Sequence, residues 1–201
     1  MSGSESILAE ERLHGYRTIV ADPPWQIRKG MNAGGRRKRA TEVPYEFMTL
    51  GEIAAMDVAQ YAHPEGCHLF LWTTRRLFRE GIAAQIARGW GFEPVGEVIW
   101  GLRNTGIGGK VIANDHEPVL IARRGKATWK QDEYNPAGVR FWRQLMLGGA
   151  PGGGKAHSAK PEGFLDEVEA MSHGPYLELF SRRARMGWDT WGNQSLEGGA
   201  A

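Results

Sequence analysis

An aspartate, two prolines and a tryptophan in succession, Asp22-Pro23-Pro24-Trp25, form the segment of this 201-residue chain best suited to chemistry. Two prolines fix φ and remove two amide donors, so the turn is rigid and presents carbonyl acceptors. A carboxylate held beside those carbonyls makes an acceptor-only cluster, the complement of a ligand amine. The adjacent indole offers a flat face on which a base could stack. The same residues are also compatible with an ordinary turn after a strand, with Trp25 in the core.

Basic side chains gather in four places. Residues 28–39 hold Arg28, Lys29, Arg36, Arg37, Lys38 and Arg39 with no acid among them. Further clusters are Arg75, Arg76 and Arg79; Arg123, Arg124, Lys126 and Lys130; and Arg182, Arg183 and Arg185. A basic run is commonly a solvated loop. The first run, however, lies among glycines beside the Asp22 turn and is expected to contact nucleic-acid phosphates. No global field accompanies these clusters, because 25 basic and 23 acidic residues leave a formal charge of only +2.

Two other patterns carry less. Gly149 to Ala156 nearly matches the phosphate loop G-x-x-x-x-G-K-[ST], but Ala156 has no hydroxyl for magnesium, so these glycines read as a lid or linker. His14, His63, His68 and His173 show no metal-ligand spacing, and His116 is followed by its Glu in the wrong pattern, so no metal site is expected.

The elements that must position Asp22 are legible as periodicities. Arg17 to Ala21 is a β-branched run stopped by Asp22-Pro23-Pro24 and reads as a buried strand. Thr49-Leu-Gly-Glu52 is a capping box that opens a helix to about Gln60. Cys67 to Trp72 reads as a strand, Arg75 to Arg88 as one amphipathic helix, Phe92 to Trp100 and Glu117 to Arg123 as strands. Phe141 to Leu147 suits strand or helix. Pro161 fits the first position of a helix to Met171, and Tyr176 to Phe180 is a further strand. Strands alternating with helices predict an α/β domain with a mostly parallel sheet, its ligand beyond the carboxyl ends of the strands.

The length favours one domain, placed at residues 1–197, with 198–201 as a frayed tail. Glycine is in excess: 28 residues, about twice the usual share of roughly 7%. Eight tryptophans oppose disorder, so the glycines read as long loops, functional or disordered, on a folded core. Cys67 is the sole cysteine, which excludes an intrachain disulfide and suits a reducing cytoplasm. No apolar stretch approaches the roughly 18 residues of a membrane span, and residues 1–12 lack the pattern of a secretory signal.

Asp22-Pro-Pro-Trp25 after an apolar strand resembles the signature of the adenine N6-methyltransferases whose eukaryotic members methylate adenosine in mRNA, with bacterial and phage relatives acting on adenine. The resemblance runs from about Tyr16 to Gln194. It includes Leu69-Phe-Leu-Trp72, Trp90-Gly-Phe92, Val98-Ile-Trp100, His116-Glu117, His157-Ser-Ala-Lys-Pro161, Glu178-Leu-Phe180 and Trp191-Gly-Asn-Gln194. It implies a single Rossmann-like class I domain in circularly permuted order. It also implies transfer of a methyl group from S-adenosylmethionine to adenine N6 in nucleic acid, DNA before RNA. Asp22 and the Pro23 carbonyl would hold the amine, and Trp25 would stack on the base. Lys160 would neutralise the carboxylate of the cofactor, Glu178 would accept from its ribose hydroxyls, Asn193 and Gln194 would bind its adenosine portion, and Arg182 would line the same pocket. Ala184 departs from relatives that carry a polar ribose contact there. The competing class is a non-catalytic nucleic-acid-binding subunit. Such partners tend to lose the Asp-Pro-Pro-Trp motif, which is intact here.

Overall fold

Thr18–Ala21 (β1) is buried at every position, which a strand achieves only when both its neighbours and both its faces are covered. In the computed structural model, which describes residues 14–26, 47–101, 116–133, 160–161, 163–181 and 184–192, β1 lies near the middle of a six-stranded sheet. The others are Gly66–Trp72 (β2), Glu93–Gly101 (β3), His116–Gly125 (β4), Tyr176–Leu179 (β5) and Trp188–Trp191 (β6). The order is β3-β4-β2-β1-β5-β6. β1 pairs in parallel with β2 and β5, and β5 in parallel with β6.

The expected mostly parallel sheet is a mixed one, because β4 is antiparallel to both β2 and β3. Apolar composition could not reveal this: Val119, Leu120, Ile121 and Ala122 are buried in an antiparallel strand as fully as β1 is in a parallel one. β6 was not foreseen at all. Its four residues are too few for a period to show, and pairing to β5 creates it.

Alternation divides the core into two layers. Ile19, Ala21, Leu69, Leu71, Leu120, Leu177 and Leu179 face Leu50–Ala54 (α1), Arg75–Arg79 (α2) and Ile82–Gly89 (α3) through Ile53, Leu77 and Ile86. Val20, Phe70, Trp72, Val119 and Ile121 face Phe164–Met171 (α4) through Phe164, Val168 and Met171. Helices therefore cover both faces, as in an α/β layer architecture.

Several boundaries moved. The helix after Thr49 has its capping box, with Thr49 accepting from the Glu52 amide and Glu52 reaching back to the Thr49 amide, but it ends at Ala54 and resumes as a 3₁₀ turn at Val58–Tyr61. The single helix over Arg75 to Arg88 is two, because Gly81 adopts φ +73 between them. Pro161 precedes its helix instead of starting it; its carbonyl accepts the Phe164 amide. Residues 141–147, 149–156 and 198–201 lie outside the described residues. No helix among the described residues is long and apolar enough to cross a membrane, and no group of metal-binding side chains occurs among them.

At the amino end of β1 and β2 a chain of buried hydroxyls ties the layers. Thr18 Oγ1 lies 2.6 Å from the His173 carbonyl and 2.6 Å from Ser172 Oγ, which is 2.7 Å from His68 Nδ1. A carbonyl only accepts, so the Thr18 proton goes to His173. Ser172 must then donate to Thr18 and accept from His68 Nδ1–H. Every direction in the chain is thereby settled. Ser172→Ala breaks it at the centre and is expected to destabilise the protein by about 1–3 kcal/mol. Urea denaturation should show a lower midpoint at unchanged slope. An unchanged midpoint would mean that the chain contributes nothing.

Candidate active site

Asp22 follows directly on the carboxyl end of β1, and its amide donates to the Leu179 carbonyl at the end of β5. The proline pair does what its chemistry dictates. The Trp25 amide turns back onto the Pro23 carbonyl at 2.8 Å, a three-residue turn centred on Pro24. The Pro24 carbonyl accepts from Met48, and Gln26 donates to the Met48 carbonyl, so the strand-like stretch at Met48 clamps the turn. One lone pair of the Pro23 carbonyl is thus committed within the turn.

Trp25 is not an open stacking face. Its side chain is 6% exposed within the core cluster, and its indole N–H donates to the Trp72 carbonyl at 3.0 Å. The ring fastens the Asp22 turn to the end of β2. The ring is part of the core cluster, and the prolines form the rigid turn.

Opposite Asp22, Lys160 projects from the segment before α4. Its Nζ is 3.4 Å from Asp22 Oδ1, 2.9 Å from Glu117 Oε2 and 4.6 Å from the centre of the Trp72 ring. Three segments distant in sequence from Lys160 therefore converge on its ammonium. Glu117 reaches the site because β4 is antiparallel: its first residues lie where β2 ends, with the Thr73 amide donating to the Pro118 carbonyl. Burial penalises the Lys160 charge, but the Asp22 and Glu117 carboxylates outweigh it and hold its pKa above the ordinary lysine value. The ammonium is charged at neutral pH. The stability it contributes is fully present below the ordinary lysine pKa and is lost only as pH rises through the raised one.

Glu178 sits one residue before the end of β5, beside Val20 of β1 in register, and accepts from Ser181 Oγ at 2.9 Å. Glu178 and Trp72 lie on the sheet face covered by α4, so Lys160, Glu117 and Glu178 share one side of the carboxyl edge. The residue after β5, Phe180, is held at φ +65, a conformation costly for a bulky side chain. It packs edge-on against Trp191 at 5.6 Å.

The donor set has a definite electrostatic character. Asp22, Glu117 and Glu178 against Lys160 leave the described cluster net negative, suited to a cationic centre. An ammonium has three protons, and two carboxylates engage two of them, so the third can meet an anionic group.

The family model MT-A70 matches residues 16–194. The chain belongs to the MT-A70 family. It is 29% identical over 194 residues to the type II methyltransferase M.MunI of Mycoplasma sp, covering 88% of this chain and 76% of that protein. It is 29% identical over 189 residues to the N(6)-adenosine-methyltransferase MT-A70-like protein of Drosophila melanogaster, covering 89% of this chain and 27% of the relative. Against the human N(6)-adenosine-methyltransferase catalytic subunit METTL3 it is 28% identical over 189 residues, covering 89% and 28%. The chain thus spans about a quarter of the length of these two animal relatives and most of M.MunI.

Of the positions expected in this MT-A70 domain, the structure brings Asp22, Pro23, Lys160 and Glu178 to one edge. It adds Glu117 and Trp72, for which the sequence suggests no role at the site beyond a place in a strand or a motif pair. The only prior signal for Glu117 was its place in the His116-Glu117 pair. Arg182, Asn193, Gln194 and the basic run Arg28, Lys29, Arg36, Arg37, Lys38 and Arg39 lie outside the described residues.

Proposed function

We propose that this MT-A70 domain transfers a methyl group from S-adenosylmethionine to the exocyclic N6 amine of adenine in nucleic acid, with DNA favoured over RNA. The observation that carries the reading is the Asp22 carboxylate, set on a rigid proline turn at the carboxyl end of a central strand and paired there with Lys160. The DNA preference is supported by coverage, since the chain spans most of a type II methyltransferase but a small part of the adenosine methyltransferases. A Rossmann-like class I fold in permuted order is supported by β1, which carries the motif, preceding β5, which carries Glu178, while both lie side by side in the sheet.

S-adenosylmethionine, when bound, supplies an electrophilic methyl group on a sulfonium. The residues of the chain prepare the nucleophile. Adenine N6 is a weak nucleophile because its lone pair is delocalised into the ring. Asp22 and the remaining lone pair of the Pro23 carbonyl accept its two N–H bonds and draw the lone pair out of the ring plane toward the methyl. Asp22 is also placed to accept the proton that the amine loses. Lys160 holds Asp22 in position and offers its third proton to the carboxylate of the cofactor, while Glu178 accepts from the ribose hydroxyls. Arg182, Asn193 and Gln194 complete the cofactor contacts in this reading, and residues 28–39 meet the phosphates. Catalysis is then alignment for in-line displacement with electrostatics fixed in advance. A paired adenine must leave the duplex to reach Asp22.

The test is transfer of tritium from labelled S-adenosylmethionine to adenine-containing DNA and RNA, with calorimetry of cofactor binding alongside. Transfer to DNA above RNA is the expected result. Folded protein that methylates neither overturns the reading, and one that also fails to bind the cofactor belongs to the non-catalytic class.

A further inference from the structure

One contact at the carboxyl edge of the sheet has a reach that a strand cannot supply. Glu178 belongs to β5, and Ser181 Oγ, three residues on, donates to its Oε2 at 2.9 Å. In extended chain, side chains three residues apart point to opposite faces and start about 10 Å from each other. The chain makes the contact by reversing at Phe180, the one non-glycine residue with positive φ among the described residues, at +65. That conformation is costly for a bulky side chain and persists only where the surroundings enforce it.

The end of β6 does the enforcing. The Phe180 and Ser181 amides both donate to the Trp191 carbonyl, at 2.5 Å and 3.3 Å. Gly192 then passes so close that a Cβ there would meet the Ser181 carbonyl oxygen at 2.8 Å, the Ser181 nitrogen at 2.9 Å and the Phe180 carbonyl carbon at 3.0 Å. A side chain at 192 would push the turn away, and glycine lets the two backbones touch. Ser181 is 3% exposed, so water has little access to replace its hydroxyl at the carboxylate. Glu178 itself stays partly exposed, open to a ligand. Two strand ends and a strained residue therefore serve to bring one hydroxyl to one carboxylate.

Resting on the methyltransferase reading above, we infer that Ser181 is a positioning residue for Glu178: its hydroxyl orients the carboxylate that accepts from the ribose hydroxyls of S-adenosylmethionine. A donor bound to Oε2 restricts rotation of the carboxylate plane and so limits where Oε1 points. A glutamate held in advance has less side-chain freedom left to lose when the ribose arrives. Ser181 acts through Glu178 and touches neither the cofactor nor the base, so its effect falls on cofactor binding and not on the methyl transfer step.

Calorimetry with S-adenosylhomocysteine and its 2′-deoxy and 3′-deoxy analogues tests this. The unaltered protein should prefer the parent ligand by about tenfold or more over the analogue lacking the hydroxyl that Glu178 binds. Ser181→Ala should weaken binding of the parent by about tenfold and reduce that preference by about the same factor, because the loss falls on the ribose contact. In steady-state kinetics the change belongs to KM for S-adenosylmethionine, with kcat unmoved. In a Glu178→Ala background, Ser181→Ala should add nothing further. Binding reports folded protein only, so a loss of stability by itself leaves the preference where it was. An unchanged affinity, an equal loss for parent and analogues, or additive losses in the double variant overturns the positioning role alone. An unaltered protein that binds the parent with no preference for its ribose hydroxyls overturns the assignment of Glu178 and the role of Ser181 with it. One that binds no S-adenosylhomocysteine and transfers no methyl overturns the methyltransferase reading itself.

Discussion

Under the proposed function, Asp22→Ala is expected to lower the rate of methyl transfer by on the order of 10²–10³-fold while the affinity for S-adenosylmethionine stays nearly unchanged. The magnitude is that of removing one preorganised polar group from a reacting centre, and in the proposed mechanism that group also sets the orientation of the lone pair. The variant should remain folded. Lys160 keeps its 2.9 Å partner Glu117, and the Asp22 amide that bonds to Leu179 is backbone and survives the substitution. Asp22→Asn separates two components of the effect, since it preserves one acceptor oxygen and loses the charge. A rate between those of Ala and the unaltered protein assigns part of the effect to geometry. Full activity in Asp22→Ala, measured by tritium transfer, would falsify the acceptor-pair mechanism.

Lys160→Met produces the second large effect, and it shows as a displaced pH profile as well as a lower rate. In the folded protein one ammonium lies between the Asp22 and Glu117 carboxylates. Removing it leaves two carboxylates converging on an apolar side chain, and their repulsion raises the pKa of one of them. The group whose ionised form is needed at the amine then protonates closer to neutral pH. The acid limb of kcat/KM should therefore move to higher pH in Lys160→Met. The double variant Lys160→Met/Glu117→Gln should move it back, because the repelling charge has gone. Affinity for the cofactor should fall about 10–100-fold in the single variant, the cost of losing a charge-assisted partner worth about 1.5–3 kcal/mol. A uniformly lower rate with an unmoved acid limb would reduce Lys160 to a packing role.

The two experiments probe different halves of one cluster, and they differ in how visible those halves are in the sequence. Asp22 is legible because its chemistry is local. Prolines restrict the backbone on either side of whatever turn they occupy, and the structure has the turn in the form those restrictions require. The strands were legible for a related reason: runs such as Thr18–Ala21 and Gly66–Trp72 are too apolar to be anything but buried. Helix starts at Thr49 and Thr74 follow from hydroxyls that satisfy early amides within three residues.

What lay beyond the sequence depends on contacts between distant segments. Gly81 is visible as a residue, yet whether it interrupts the helix depends on its φ, which is +73 in the fold. Trp25 carries the same indole whether it stacks on a ligand or roofs a strand end; its hydrogen bond to the Trp72 carbonyl, 47 residues away, decides. Four basic clusters have similar composition, and only the direction of β4 places Arg123 and Arg124 at the opposite edge of the sheet from Asp22.

The glycine excess remains compatible with loops, since the described strands and helices contain few of the 28. The sequence by itself determined the rigid acceptor turn, the buried strands and the family, because backbone restriction, apolar runs and motif order are properties of neighbours in the chain. Only the tertiary structure decided that Lys160 is shared by Asp22 and Glu117 and that the Trp25 indole is bonded to the Trp72 carbonyl. Each of those depends on strand order and direction, which pairing energies between distant segments select and no local pattern records.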